Sequence, residues 1–143
     1  GFRDVISMAH GPVIASHSNC RALCAVPRNL TDDQLRAIRD TGGIVGLNVH
    51  HAFVHEDPAQ QTAQMLARHA VHMAEVMGVE HVAAASTSAS LWAWKRGAEA
   101  WKAPPNPEPL LLAGKLGMNR QEREMIARGN FLRVLAGPDL PPQ

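Results

Sequence analysis

Three short apolar runs, Pro12–Ala15, Ile44–Val49 and His81–Ala85, alternate with two stretches of helical periodicity. That alternation constrains the fold more than any other feature. Each run is too brief for a helix, and the first two are rich in β-branched residues, so they read as buried strands. Strand, helix, strand, helix, strand predicts parallel pairing with right-handed crossovers. The class is therefore α/β. The first helix has a firm start, because Thr31-Asp32-Asp33-Gln34 has capping-box spacing and Leu30 and Leu35 stand where a hydrophobic staple would. Gly42-Gly43 ends it. The second, about Gln60 to Met77, carries Met65, Leu66, Ala70, Met73, Val76 and Met77 at helical spacing, with Gly78 as its stop. Those methionines read as core rather than as a binding groove.

Phe2–Ala9 is expected to be helical, ending at the His10-Gly11-Pro12 turn. Beyond the third strand, Ser86 to Pro109 carries Trp92, Trp94, Trp101 and the breaker Pro104-Pro105-Asn106-Pro107, and no element is assigned there. Helical pattern returns at Leu110–Leu116, at Asn119–Arg128, where Asn119 and Glu122 have capping spacing, and at Asn130–Ala136. A Pro-rich tail follows over 137–143. At 143 residues the chain amounts to at most one domain, with enough length for a real core.

A net charge of +1 gives no support to a nucleic-acid or membrane-surface role. No apolar run approaches the roughly 20 residues of a membrane span, and no signal-peptide pattern opens the chain. Cys20 and Cys24 read as reduced, packed thiols, which fits a cytoplasmic protein. The eight histidines invite a metal hypothesis. His17 follows the first strand in the polar cluster Ser16-His17-Ser18-Asn19. From pattern alone it is either a catalytic group delivered at a strand end or a satisfied histidine. His50 and His51 follow the second strand; neighbours on a strand face opposite sides, which argues against a shared metal. His69, His72 and His81 read as packing or surface residues.

The blocks PVIASHSNCRALC, PRNLTDDQLRAI and GGIVGLN, with Gly78-Val79-Glu80-His81-Val82 and Gly129-Asn130-Phe131-Leu132-Arg133-Val134-Leu135, occur in an order that resembles the membrane (renal) dipeptidase family. The resemblance covers nearly the whole chain except about Ala83 to Pro109. It implies the C-terminal part of a (β/α)8 TIM-type barrel, about strands six to eight with their helices, over residues 1–136. It also implies two zinc ions and hydrolysis of dipeptides or small amides by metal-activated water.

By the same resemblance His17 falls on a zinc-ligating histidine at the end of strand six. Arg28 falls on the arginine that grips the substrate carboxylate, a task suited to a planar bidentate donor. His50 and Phe53 fall on pocket-wall positions. The family's His-x-Asp pair, its bridging glutamate and its other zinc histidine belong to sequence before Gly1, and His10 aligns with a linker rather than with any of them. Thr87 stands where the family has its catalytic aspartate and cannot act as a base at neutral pH.

The expectation is that this chain alone is inactive, since three strands cannot close a barrel and most metal ligands are absent. The alternative is a non-catalytic module that associates with another chain, either the missing half-barrel or a second copy, with the tryptophans as a contact surface. Either way the sheet edges and apolar inner face are an association liability. Ala84-Ala85-Ser86-Thr87-Ser88-Ala89 also resembles family codons read one base late. The expectation is a frame shift over Ala83 to about Pro105, with the frame restored before Asn130, which reading the encoding DNA in all three frames decides.

Overall fold

The structure, a computed structural model, describes residues 1–85, 113–130 and 133–134. Helix α1 (Phe2–Met8) leads into strand β1, which is only Ile14–Ala15. The expected strand over Pro12–Ala15 is shortened at its start for a chemical reason. Proline has no N–H to give the ladder, and the Val13 N–H is taken by Thr41 Oγ1 at 3.1 Å. Val13 still serves the sheet with its carbonyl, which accepts from the Ile44 N–H at 3.1 Å.

Helix α2 (Asp32–Asp40) starts as its sequence demands. Thr31 Oγ1 accepts from the Gln34 N–H at 3.3 Å, and Gln34 Oε1 accepts from the Thr31 N–H at 2.9 Å. Such a cap contributes about 1 kcal/mol. Burial of Leu35 and Ile38, both fully covered, contributes about 1.5–3 kcal/mol each. Packing therefore outweighs the cap, whose main effect is to set where the helix begins.

Strand β2 (Ile44–Asn48) is buried along its whole length and lies between β1 and β3 (Val82–Ala85). Both pairings are parallel, Ile14 opposite Ile44 and Val45 opposite Val82. Helix α3 (Ala63–Met77) begins three residues later than the periodicity predicts. Pro58–Gln60 instead forms a separate 3-10 turn capped by Asp57, and Thr62 caps α3 through the Met65 N–H. Gly78, at φ +88°, ends it. His81 belongs to the 3-10 turn Val79–His81 rather than to the strand, and its Nδ1 is 2.7 Å from the Gly43 carbonyl.

One core joins Leu35 and Ile38 of α2, Val45 and Leu47 of β2, Leu66, Met73 and Met77 of α3, and Val82 of β3. Helix α4 (Arg120–Glu124) carries the Asn119/Glu122 capping box foreseen from spacing, then widens into a π turn over Met125–Gly129. Past that turn, the buried Asn130 donates from Nδ2 to the carbonyls of Val79 (2.7 Å) and Val82 (2.6 Å). Arg133 donates to the Glu80 carbonyl at 2.6 Å. Asn130 and Arg133 are thus tied to the 3-10 turn before β3 and to the first residue of β3. No described helix is long and apolar enough to cross a membrane. Thr87, the three tryptophans and residues 86–109 of the stretch expected to diverge (83–109), like the tail, lie outside the described residues.

Candidate functional site

The three parallel strands end on the same side of the sheet, and the loops that leave β1 and β2 carry His17, Arg28, His50 and Phe53. The Ser18 N–H donates to the Gly46 carbonyl at 2.9 Å, which holds the segment after β1 beside β2. His17 is half-buried. Its Nδ1 lies 3.0 Å from Ser16 Oγ. Its Nε2 is buried without a hydrogen-bond partner among the described residues. An unpaired buried polar atom is costly and asks for an explanation.

Arg28 sits on a turn closed by the Asn29 N–H bonding to the Val26 carbonyl at 3.0 Å. Arg21 braces that turn from both sides, donating to the carbonyls of Pro27 (2.8 Å) and Asn29 (3.0 Å). The exposed Arg28 guanidinium carbon stands 5.9 Å from the centre of the Phe53 ring, within cation–π range. His50 packs against Phe53 with ring centres 5.0 Å apart. Its Nδ1 accepts from the Ala52 N–H at 3.3 Å, capping the 3-10 turn His51–Phe53. Three residues from two separate loops thus form one stack with a cation at its rim.

His50 and His51 fall after the end of β2, so strand alternation does not separate them; their ring centres are 4.6 Å apart. His50 Nδ1 is occupied by the Ala52 N–H, and among the described residues no group of three or more His, Cys, Asp or Glu is placed to share an ion. His17 Nε2, buried and without a hydrogen-bond partner among the described residues, fits a single metal ligand, but the described residues do not make a complete metal site.

Sequence reasoning missed what holds the loops. Asn19, Asn29 and Asn48 are buried and bond to the backbone of both loops. Their polarity and their place at strand and turn ends fit exposed loop residues, so no local signal marked them. Of the two roles expected for His69, packing or surface, the structure shows the buried one, and its task there is more specific. From α3, and fully buried, it accepts at Nδ1 from the Cys20 N–H (3.0 Å) and donates from Nε2 to the Val54 carbonyl (2.8 Å). Burial pushes its pKa down, with His72 and His55 acting in the same direction against the Val54 carbonyl. Cys20 and Cys24 are free and buried, and burial pushes both thiols up.

The family description "Membrane dipeptidase (Peptidase family M19)" matches residues 1–138. An uncharacterized protein in the pqqA 5′ region of Klebsiella pneumoniae is 47% identical over 88 residues, covering 59% of this chain and 32% of that protein. Dipeptidase ataJ of Aspergillus terreus is 29% identical over 134 residues, covering 93% of this chain and 32% of that protein. A crystal structure of a metallo peptidase from Rhodobacter sphaeroides, liganded with a phosphinate mimic of the dipeptide L-Ala-D-Ala, superposes with a TM-score of 0.71 at 28% identity. It is covered over 39% of its length by 95% of this chain. The chain therefore spans about a third of the length of these curated relatives. With its three parallel strands in the order of that barrel type and the family match over residues 1–138, the chain belongs to the membrane dipeptidases, peptidase family M19, and forms part of their TIM-type barrel.

Proposed function

We propose that this chain supplies part of the substrate-facing rim of a metal-dependent peptidase whose whole-protein reaction is hydrolysis of dipeptides or similar small amides. In this reading His17 is one ligand to a zinc ion, Arg28 binds the substrate carboxylate, and His50 and Phe53 wall the pocket. A bound metal supplies Lewis acidity and a more acidic water; the chain's own residues bind and orient. Stacking on Phe53 leaves the edge of the Arg28 guanidinium, where its donors lie, open to a bidentate carboxylate. The reading rests on the Nε2 of His17, just after β1, which is buried and has no hydrogen-bond partner among the described residues and which a metal would satisfy.

With one ligand in hand, the chain alone does not turn over substrate. Calorimetric zinc titration of wild type and His17→Ala, with a dipeptide turnover assay, tests this. Weak uptake that depends on His17, with no turnover, is expected. Tight stoichiometric uptake with turnover by this chain overturns the inactivity, and uptake indifferent to His17→Ala removes the role given to His17.

A second reading is a non-catalytic module that associates with another chain supplying the rest of a barrel, or with its own copy. Exposed Val5, Met8 and Ile14 favour it: β1 is one of the two outer strands of the described sheet, and Ile14 stands on it. Size-exclusion chromatography separates the cases, since a monomer with cooperative unfolding counts against association.

A further inference from the structure

Behind the Arg28–Phe53–His50 stack lies a connected set of carboxamides. Asn19 uses both ends of its side chain. Its Nδ2 donates to the carbonyls of Asn48 (2.8 Å) and Phe53 (3.1 Å), and its Oδ1 accepts from the Asn48 N–H (2.9 Å). Asn29 does the same from the other side. Its Nδ2 donates to the carbonyls of Phe53 (2.9 Å) and Cys24 (3.0 Å), and its Oδ1 accepts from the Asn19 N–H (3.2 Å). Asn48 Oδ1 accepts from the His50 N–H (2.9 Å). The Phe53 carbonyl therefore receives two donors, both from the loop that carries Arg28.

Parallel pairing of β1 with β2 already holds the strands, and apolar burial would hold the loops with no preferred register, because it is non-directional. Directed bonds fix position. A buried network with its members satisfied rigidifies one arrangement, and these bonds end on loop backbone and on the last residue of β2, beside the stack. We infer that Asn19, supported by Asn29 and Asn48, is a positioning residue that sets the separation between Arg28 and the His50–Phe53 wall. That separation in turn sets the size of the carboxylate-bearing group the wall accepts. The inference rests on the reading of Arg28, His50 and Phe53 as a substrate wall. Its leverage is large, because an error of about 1 Å in a positioned group costs about a hundredfold in rate.

The test is solution NMR of this chain. Protons of the Arg28 side chain are expected to be shifted upfield by the Phe53 ring, and Phe53→Leu calibrates that shift. Asn19→Ala is expected to abolish it while amide protection at Leu35, Ile38 and Val45 persists. Asn19→Asp fills nearly the same space and keeps the acceptor for Asn48, but it loses both donors; it is expected to abolish the shift as well. Retention of the shift in either variant, or its absence from wild type, overturns the inference.

Should the Asn19 variants unfold, Asn48→Ala decides instead. It removes only the bond to the His50 N–H and is expected to move the His50 ring signals, so unchanged signals overturn the inference. Titration with the dipeptide Ala-Ala separates the two readings. Binding at Arg28 weakened about tenfold by Asn19→Ala, the loss expected of one good hydrogen bond, supports both. A wild type that ignores the dipeptide, with the stack still collapsing in Asn19→Ala, overturns the substrate-wall reading and leaves the positioning of the two loops standing.

Discussion

His69→Leu removes the α3 side chain that braces both rim loops from behind. The substitution leaves two buried backbone groups without partners, the Cys20 N–H and the Val54 carbonyl. Each costs about 1–3 kcal/mol. Leucine recovers about 1.5–3 kcal/mol through its apolar burial, so at the central values, about 4 against about 2 kcal/mol, the penalty wins and a net loss of about 2 kcal/mol is expected. The size of that loss depends on pH, and its sign follows from the hydrogen bonds. His69 must be neutral with the proton on Nε2, because Nδ1 accepts from an N–H, and burial lowers its pKa below the usual 6.5. As pH falls through 6.5 the unfolded chain takes up a proton that the folded chain refuses. Stability is then lost progressively until the folded pKa is reached, and is flat above 6.5. His69→Leu abolishes this contribution. Urea denaturation of both proteins at about pH 7.5 and about pH 5.5, on either side of the ordinary histidine range, reads it directly. The gap between wild type and variant should be wider at the higher pH, with unchanged m-values. A gap that is equal at both pH values, or a variant as stable as wild type, refutes the argument.

Gly43 packs where a side chain cannot go: a Cβ there would lie 2.0 Å from the Val13 carbonyl oxygen and 2.9 Å from Thr41 Oγ1. Gly43→Ala must push Val13 away from Ile44, for an expected loss of about 3 kcal/mol by urea denaturation. Gly11→Ala, with open space around it, should stay within about 0.5 kcal/mol of wild type. Alkylation followed by mass spectrometry should find Cys20 and Cys24 slow to react in the folded chain at neutral pH and fast in urea, because burial both covers the thiols and raises their pKa. Rapid labelling of either in the folded state refutes that protection.

What the sequence made legible was local. The Thr31/Gln34 and Asn119/Glu122 boxes each close over three residues, and the apolar runs need only their own composition to read as strands. Boundaries failed where one residue had a better partner elsewhere, as when Thr41 took the Val13 N–H or Thr62 and Asp57 divided one expected helix start between two caps. Only resemblance singles out Arg28, His50 and Phe53, and neither it nor spacing foretells that residues on separate loops stack on one another. The asparagine network was invisible because its bonds span up to 34 residues, and an asparagine's burial depends on what folds over it. His69 shows the same limit, since its two partners come from loops before the helix that carries it.

Asn130 is a clasp whose grip depends on where its carbonyl partners lie, not on the residues strung between them. It joins positions 48 and 51 residues apart, with residues 83–129 inside the ring so formed. Substitution, or even reading in another frame, can rewrite that interior without touching the donor or its acceptors. The closing block of the chain can therefore keep its family character, and return to β3, while the sequence it encloses drifts.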